Sequence, residues 1–167
     1  YGLYQRELEA NGALDFDDLI ARAVALLRDR TDVAERYSRR FEHVLVDEYQ
    51  DTNHAQFRLV QALGAVHGNV FVVGDDDQSI YGWRGADLSN VLDFERAFAG
   101  ATVLRLEQNY RSTGNILQAA NAVIAHNRAR KGKTLWCERE AGPPLRFAQL
   151  ADEADEARRV RRMIEEQ

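Results

Sequence analysis

Cysteine, proline and long apolar runs are scarce in this sequence, and each scarcity excludes a class of protein. Cys137 is the only cysteine, and there are two prolines among the 167 residues. No disulfide can form within the chain, so a reducing, cytosolic setting is the expectation. No apolar run approaches the roughly 20 residues that a membrane-spanning helix needs. Because the chain starts at Tyr1 instead of methionine, we expect a fragment of a longer protein.

An excess of positive charge is also missing. The net charge is −5, which argues against a surface that coats polyanions in general but leaves room for a local nucleic-acid groove. The histidines show no metal-ligand spacing; they are His43, His54, His67 and His126. With 45% hydrophobic and 29% charged residues, the composition is that of a folded globular domain.

Three short apolar runs alternate with amphipathic stretches along the middle of the chain. The runs are HVLV (43–46), NVFVV (69–73) and TVLRL (102–106), and the stretches are AQFRLVQAL, LSNVLDFERAF and TGNILQAANAVIAHN. This alternation predicts parallel βαβ units, with ligands at the carboxyl ends of the strands. Fully apolar strands further predict a sheet that is covered on both faces.

The flanking segments carry further helix and strand patterns. Asp15 is placed to cap a helix in LDFDDLIARAVALLRDR (14–30), and Asp87 to cap LSNVLDFERAF. A helical tail is expected over residues 1–12 and a short helix around residues 33–41. After residue 127 we expect a basic loop, a strand in LRFAQL (145–150) and a charged helix to the chain end.

Three carboxylates follow the first apolar run, in VDEYQDTN (46–53). Asp47 lies at the expected carboxyl end of a strand, where it can hold Mg²⁺ and bridge it to nucleotide phosphates. Glu48 points differently and could take a proton from an attacking water. The simpler alternative is a solvated strand end, with Asp51 or Thr52 capping the next helix. The pattern alone leaves both interpretations open.

An acidic and aromatic loop follows the second apolar run, in GDDDQSIYGWRGAD (74–87). Tyr81 and Trp83 are separated by a glycine and precede Arg84. Aromatic rings on such a loop are good platforms for single-stranded bases. The alternative is that the two rings close a hydrophobic gap over the sheet.

A third stretch, LEQNYRSTGNI (106–116), leads from the last apolar run into a helix. Arg111 lies near a helix N-terminus that suits an anion, and its guanidinium can stabilise charge on a transferring phosphoryl group. Tyr110 offers a ring to a nucleobase. A surface Arg111 paired with Glu107 would explain the pattern as well.

Together these stretches resemble the UvrD/PcrA/Rep family of superfamily-one DNA helicases. VDEYQDTN resembles the family's motif II, GDDDQSIYGWRGAD its motif III, LEQNYRS its motif IV, and ALDFDDLI a stretch just before motif II. The resemblance implies an α/β fold, a RecA-like P-loop NTPase motor with a parallel sheet flanked by helices. It implies the end of an accessory helical insertion (1–12), the C-terminal part of the first motor domain (13–107) and the beginning of the second (108–167).

The resemblance also implies a role for each matching position. Asp47 would bind Mg²⁺, Glu48 would be the base that activates water, and Gln78 would sense the γ-phosphate of ATP. The other implied roles are coupling for Gln50, Asp51 and Arg84, DNA contact for Tyr81, Trp83 and Arg84, adenine stacking for Tyr110, and a γ-phosphate contact for Arg111.

The implied activity is coupling of Mg-ATP hydrolysis to movement along single-stranded DNA, with 3′ to 5′ polarity, and to duplex unwinding. Single-stranded DNA and its junctions with duplex would be the partners, with no membrane involved. The implied setting is DNA repair or replication in a bacterial cytoplasm, at the nucleoid.

The loop that cradles phosphates, G-x-x-x-x-G-K-[ST], is missing from the sequence. GKT occurs at 132–134, but Asn127 stands where the first glycine belongs, and the segment follows a helix pattern instead of a strand. We expect that the chain needs the rest of the helicase and has no useful ATPase activity by itself. The basic residues around GKT are interpreted as a solvated loop that could touch DNA phosphates; they are Arg128, Arg130, Lys131 and Lys133.

Other interpretations stay open. A metal-dependent nuclease or phosphatase would use a two-metal site built from Asp47, Glu48, Asp51, Asp75, Asp76 and Asp77. That interpretation gives no role to Gln78, Trp83 or Arg111. A non-catalytic nucleotide- or DNA-binding module and a helicase with a fused nuclease domain are the remaining alternatives.

Overall fold

The structure, a computed structural model, describes residues 1–127 and 130–166. Two strands alternate with helices in the first part of the chain. In order, the elements are α1 (Gly2–Ala10), α2 (Phe16–Asp29), α3 (Thr31–Arg40), β1 (Val44–Val46), α4 (His54–Gly64), β2 (Val70–Val72), α5 (Ser89–Leu92), α6 (Phe94–Ala97), α7 (Gly114–Ile124) and α8 (Glu153–Glu165). Short 3₁₀ turns lie at Tyr49–Asp51, Asp76–Gln78 and Gly82–Arg84.

The chain divides into two compact units. The first contains Tyr1–Arg105 and Asn127–Gly132, and the second contains Leu106–His126 and Lys133–Gln167. The chain therefore leaves the first unit after Arg105, comes back to it for residues 127–132, and leaves it again. We call residues 127–132 the return segment; its described residues are 127 and 130–132.

The sheet of the first unit is parallel, as the alternation of strands and helices predicts. Val44 pairs with Val70, and Val46 pairs with Val72. These valines share one face and are half-buried, because α4 packs there: a Cβ on Gly64 would overlap the side chain of Val70. The predicted α/β class, with a parallel sheet flanked by helices, is confirmed.

Local capping explains where the main helices begin. Asp15 accepts a hydrogen bond from the backbone N–H of Asp18 at 2.8 Å, so the predicted cap of α2 is confirmed. Asn53 and Gln56 form a reciprocal capping box at the start of α4. The alternative in which Asp51 or Thr52 caps this helix is wrong, because Asn53 is the cap and the Thr52 hydroxyl donates to the carbonyl of Tyr49.

Three expectations about strands are wrong. The second face of the sheet is not covered by the described residues, since Leu45 is 73% and Phe71 58% exposed. TVLRL (102–106) and LRFAQL (145–150) form no strand. A strand needs a partner for its backbone groups, and neither segment finds one among the described residues.

The helix predicted over LSNVLDFERAF forms as two four-residue helices that meet at Asp93. The break lets Phe94 pack edge-on against Tyr49, with ring centroids 5.6 Å apart, while Phe98 lies 4.6 Å from Phe94. Asp87 accepts a hydrogen bond from the N–H of Ser89. The Ser89 side chain, and after it this backbone hydrogen bond, lower the pKa of Asp87.

Among the described residues, no helix has both the length and the apolar character that a bilayer crossing requires.

Candidate active site at the carboxyl edge of the sheet

The two strands end side by side, which brings their following loops together. The N–H of Val73 donates to the carbonyl of Val46 at 2.8 Å, and the N–H of Tyr49 donates to the carbonyl of Val73 at 2.9 Å. The loop after β1 carries Asp47 and Glu48, and the loop after β2 carries the acidic triplet Asp75–Asp77. Carboxylates from two loops thus lie along one edge, the usual ligand edge of a parallel sheet.

Glu48 has a left-handed backbone, with φ of 49°, and is the one non-glycine residue with positive φ among those described. Such a conformation costs on the order of 1–3 kcal/mol and is held only where surrounding contacts require it. Here the N–H of Glu48 donates to Oδ1 of Asp47 at 2.9 Å, and its carbonyl accepts from the N–H of Asp51. Asp47, the predicted metal ligand, and Glu48, the predicted catalytic base, are both exposed.

A buried glutamine connects the two loops. Gln50 is 1% exposed, and its Nε2 donates to Oε2 of Glu48 at 2.7 Å. Its Oε1 accepts from the N–H of Asp75 at 3.0 Å. Oδ2 of Asp75 in turn accepts from Nε2 of Gln78 at 2.6 Å. We call this path from Glu48 through Gln50 and Asp75 to Gln78 the amide relay.

Gly74 makes the amide relay sterically possible. A Cβ at this position would lie 2.9 Å from Oε1 of Gln50 and 3.3 Å from the backbone nitrogens of Gln50 and Tyr49. The site therefore needs glycine because of close approach by the first loop.

The acidic triplet is not a free cluster of carboxylates. Its carboxylate oxygens lie within 4.8 Å of one another, but Asp77 forms a salt bridge of 2.8 Å with Arg130, and Asp76 accepts from the N–H of Lys131. The expectation of a solvated basic loop is wrong for Arg130 and Lys131, which lie against these acids. Arg128 lies outside the described residues. A two-metal site using Asp77 is disfavoured, because a cationic side chain already holds that carboxylate.

The loop around residues 81–84, which we call the aromatic loop, is open to solvent. Trp83 is 75% exposed, and Tyr81 is 38% exposed. Their ring centroids are 6.5 Å apart, and the guanidinium of Arg84 lies 4.5 Å from the Trp83 ring and 5.3 Å from the Tyr81 ring. The rings therefore do not close a hydrophobic gap; they form an exposed surface that carries a cation.

Further polar residues join the two loops, and sequence reasoning missed them. Asn90 is buried and donates to the backbone carbonyl of Thr52 at 2.9 Å. Ser79 donates to the carbonyl of Gln50 at 3.4 Å. An Asn inside an apolar helix pattern was the one signal that pointed to Asn90.

Asp51 was predicted to couple the site to its surroundings. It is half-buried, and its Oδ1 has no hydrogen-bond partner among the described residues.

Tyr110 and Arg111 belong to the second unit. The N–H groups of Arg111 and Ser112 both donate to Oδ1 of Asn109, at 2.9 and 2.7 Å. Tyr110 is exposed, and its hydroxyl donates to Gln108. The alternative pairing of Arg111 with Glu107 does not form; among described residues, Glu107 accepts from the N–H of Thr134.

Tyr49 is buried below this site, and its hydroxyl has no hydrogen-bond partner among the described residues. A buried polar group left unsatisfied costs about 1–3 kcal/mol. Burial also raises the pKa of Tyr49 to about 12. The folded state thus resists ionisation of a group that ionises near pH 10 when unfolded.

Tyr49→Phe is therefore expected to raise the free energy of unfolding by about 1 kcal/mol at pH 7, since the ring contact with Phe94 is retained. The raised pKa contributes stability that is fully present below pH 10 and is lost as the pH rises to about 12. Urea unfolding of both proteins at pH 8 and pH 11 measures this. The difference in free energy of unfolding between variant and parent should widen by roughly 1–2 kcal/mol from pH 8 to pH 11. An unchanged difference would contradict the raised pKa of Tyr49.

Two family models match consecutive parts of the chain. A family model described as the UvrD/REP helicase N-terminal domain matches residues 1–99, and one described as the UvrD-like helicase C-terminal domain matches residues 104–167. Proteins named ATP-dependent DNA helicase PcrA are similar to the chain. One from Staphylococcus epidermidis is 51% identical over 160 residues, which is 96% of this chain and 22% of that protein. One from Staphylococcus aureus is 50% identical over 164 residues, which is 98% of this chain and 22% of that protein. The chain therefore spans about a fifth of the length of these relatives.

Proposed function

Because the chain belongs to the UvrD-like helicase family, we propose that it is the part of an ATP-dependent DNA motor that links ATP hydrolysis to single-stranded DNA. The observation that carries the proposal is the amide relay. It joins Glu48, the proposed base, to Gln78 over hydrogen bonds of 2.7, 3.0 and 2.6 Å. The aromatic loop follows Gln78 within the same unit.

Asp47 and Glu48 divide the chemistry of hydrolysis in this proposal. Asp47 is an exposed carboxylate, and none of the described ion pairs uses it, which suits a hard cation with oxygen ligands. Asp47 would hold Mg²⁺, which neutralises charge on the phosphates of ATP when it is bound. Glu48 would accept the proton of the attacking water, and the hydrogen bond from Gln50 fixes the orientation of its carboxylate.

Gln78 and the aromatic loop would link the nucleotide to DNA. Gln78 would contact the γ-phosphate, and Gln50, Asp51 and Arg84 would transmit its position to the surrounding loops. Tyr81 and Trp83 would stack on the bases of single-stranded DNA. Arg84 lies close to both rings and would contact the DNA phosphate backbone with its guanidinium. The second unit would supply Tyr110 for the adenine and Arg111 for the γ-phosphate.

The finer assignments are part of the same proposal. They comprise the domain limits at 1–12, 13–107 and 108–167, movement with 3′ to 5′ polarity, action at single-strand/duplex junctions, and a role in repair or replication at a bacterial nucleoid. The family membership supports them, and each needs its own measurement.

The experiment that tests the function uses the full-length gene product that carries this chain. Phosphate release from ATP should rise when single-stranded DNA is added, and a duplex with a 3′ single-stranded tail should be separated in preference to one with a 5′ tail. The isolated 167-residue chain, which lacks a phosphate-binding loop, is the control and should stay inactive. Absence of DNA-stimulated ATP hydrolysis in the full-length product would refute the proposal. Cleavage of DNA without ATP would favour the alternative interpretation as a metal-dependent nuclease.

Trp83→Ala in the full-length product should weaken binding to single-stranded DNA by roughly 5- to 150-fold, because stacking contributes about 1–3 kcal/mol per base. Trp83 is 75% exposed, so the change should leave the thermal unfolding midpoint nearly unaltered. Fluorescence anisotropy of a labelled oligonucleotide at fixed salt measures the affinity. Trp83→Phe retains an aromatic ring and is the matched control, so it should lose much less affinity for single-stranded DNA. Equal losses of affinity in both variants would speak against stacking.

A further inference from the structure

The return segment contacts acidic residues of the first unit through three groups. Nη2 of Arg130 lies 2.8 Å from Oδ2 of Asp77, and the N–H of Lys131 donates to Oδ2 of Asp76 at 2.6 Å. Nζ of Lys131 lies 2.9 Å from Oε2 of Glu95. Nη2 of Arg105 also donates to the carbonyl of Lys131 at 3.2 Å. The segment is therefore bound to the first unit by both backbone and side-chain groups.

The contact between Arg130 and Asp77 is the most buried of these. The Asp77 side chain is 5% exposed and that of Arg130 is 18% exposed, the lowest combined exposure of the described ion pairs. Nδ2 of Asn127 adds a weaker hydrogen bond to the other oxygen of Asp77, at 3.3 Å. Removing one member of such a pair leaves the other charge desolvated and uncompensated. The pair therefore fixes the position of Asp77 strongly.

Asp77 lies within the 3₁₀ turn Asp76–Gln78, so fixing Asp77 also fixes Gln78. The N–H of Asp77 donates to Oδ1 of Asp75, while the Gln78 amide donates to Oδ2 of the same residue. This turn ends the amide relay from Glu48 and precedes the aromatic loop. A shift of the turn would consequently change the relation between the hydrolytic carboxylate and the DNA-binding rings.

We propose that Arg130 is a positioning residue that, through Asp77, holds the Asp76–Gln78 turn in the conformation in which DNA at the aromatic loop accelerates ATP hydrolysis. The inference rests on the proposed function and extends it to a residue outside the family-like stretches quoted above. In this proposal Arg130 acts on the coupling between the two ligands, and not on Asp47, Glu48 or the aromatic rings themselves.

The test is the ratio of ATP hydrolysis with saturating single-stranded DNA to hydrolysis without DNA, in the full-length gene product. Arg130→Ala should lower this ratio at least fivefold, mainly through the DNA-stimulated kcat. The KM for ATP should stay within twofold of the parent, and the DNA-free rate should fall much less than the DNA-stimulated rate, even though Gln78 lies in the same turn. A merely structural role would lower stability and reduce all activities together, without a selective effect on the ratio.

Lys131→Ala is the matched control, because it removes a positive charge from the same segment but keeps the backbone N–H that binds Asp76. Its ion pair with Glu95 is more exposed, at 25% and 56%. The stimulation ratio of this variant should change less than twofold. An equal drop in both variants would overturn the proposal, since it would indicate a general charge effect of the segment.

The combined variant Asp77→Asn, Arg130→Gln covers the case in which Arg130→Ala does not fold. It removes both charges and so leaves no buried charge without a partner. It should fold, as judged by circular dichroism, and show the same loss of stimulation. A folded combined variant with the parent's ratio would overturn the positioning role. If the unmodified protein shows no DNA stimulation at all, the proposed function itself fails and the inference fails with it.

Discussion

Glu48→Gln in the full-length gene product should lower kcat for ATP hydrolysis by about 10²–10⁴-fold, the usual contribution of a general base. The substitution removes the ability to accept a proton but changes the shape of the side chain little. The hydrogen bond that Gln50 donates to Glu48 can persist with an amide oxygen as acceptor. ATP should therefore still bind, with a Kd close to that of the parent protein, because the contacts with the phosphates and with the adenine ring of ATP are unaffected.

Single-turnover phosphate release measures the chemical step, and a fluorescent ATP analogue measures binding. Glu35→Gln is the matched control, since Glu35 is an exposed glutamate on α3 in the same unit. The control should hydrolyse ATP at the parent rate. Unchanged turnover in Glu48→Gln, or a parallel fall in ATP affinity, would mean that Glu48 is not the base and that Asp47 or Asp51 must be reconsidered.

The strained backbone at Glu48 could not be predicted from VDEYQDTN, and neither could its cause. Sequence pattern places Glu48 after a strand, but φ of 49° arises because the chain must turn so that Tyr49 reaches Val73. The buried relay through Gln50 likewise depends on the close approach of a second loop at Gly74. Such contacts join residues that are distant in sequence, and periodicity carries no information about them.

The prediction of strands was limited for the same reason, because a strand also needs a partner segment that is distant in sequence. HVLV and NVFVV form strands because they pair with each other. TVLRL has an equally good apolar pattern, yet Leu104 and Leu106 are exposed and no described strand lies beside them. A strand is a property of two segments, so one segment's composition cannot decide it. Helix caps depend on residues close in sequence, and the Asp15 cap was predicted correctly, although the cap of α4 is Asn53 and not Asp51 or Thr52.

The pattern of charges in the sequence could have indicated a partner for the acidic triplet in the return segment. Three consecutive acids at Asp75–Asp77 repel one another, and a run of cations elsewhere in the chain is the natural partner. Arg130 meets that need through its salt bridge with Asp77, whereas Lys131 contacts Asp76 through its backbone N–H and directs its ammonium to Glu95. The sequence contained both halves of the interaction, but it contained no indication of the chain's return to the first unit.

Arg111→Ala in the full-length gene product should lower kcat for ATP hydrolysis by about 10³-fold or more, within the range for an arginine that stabilises a transferring phosphoryl group. The backbone around Arg111 is fixed at three points: two N–H groups on Asn109 and the Arg111 carbonyl, which accepts from Arg139 at 2.6 Å. No described ion pair uses the Arg111 guanidinium, and the residue is exposed. A held backbone with an unengaged guanidinium is what a phosphate contact from this unit requires.

Arg111→Lys should recover little of the lost rate, because an ammonium is a point charge that cannot make two parallel hydrogen bonds to a phosphoryl group. Steady-state hydrolysis at saturating ATP and DNA measures kcat for both variants. Arg146→Ala, an exposed arginine of the same unit, is the control and should keep the parent rate. If Arg111→Ala retains more than a tenth of the parent kcat, the proposed contact of Arg111 with the reacting phosphate is refuted.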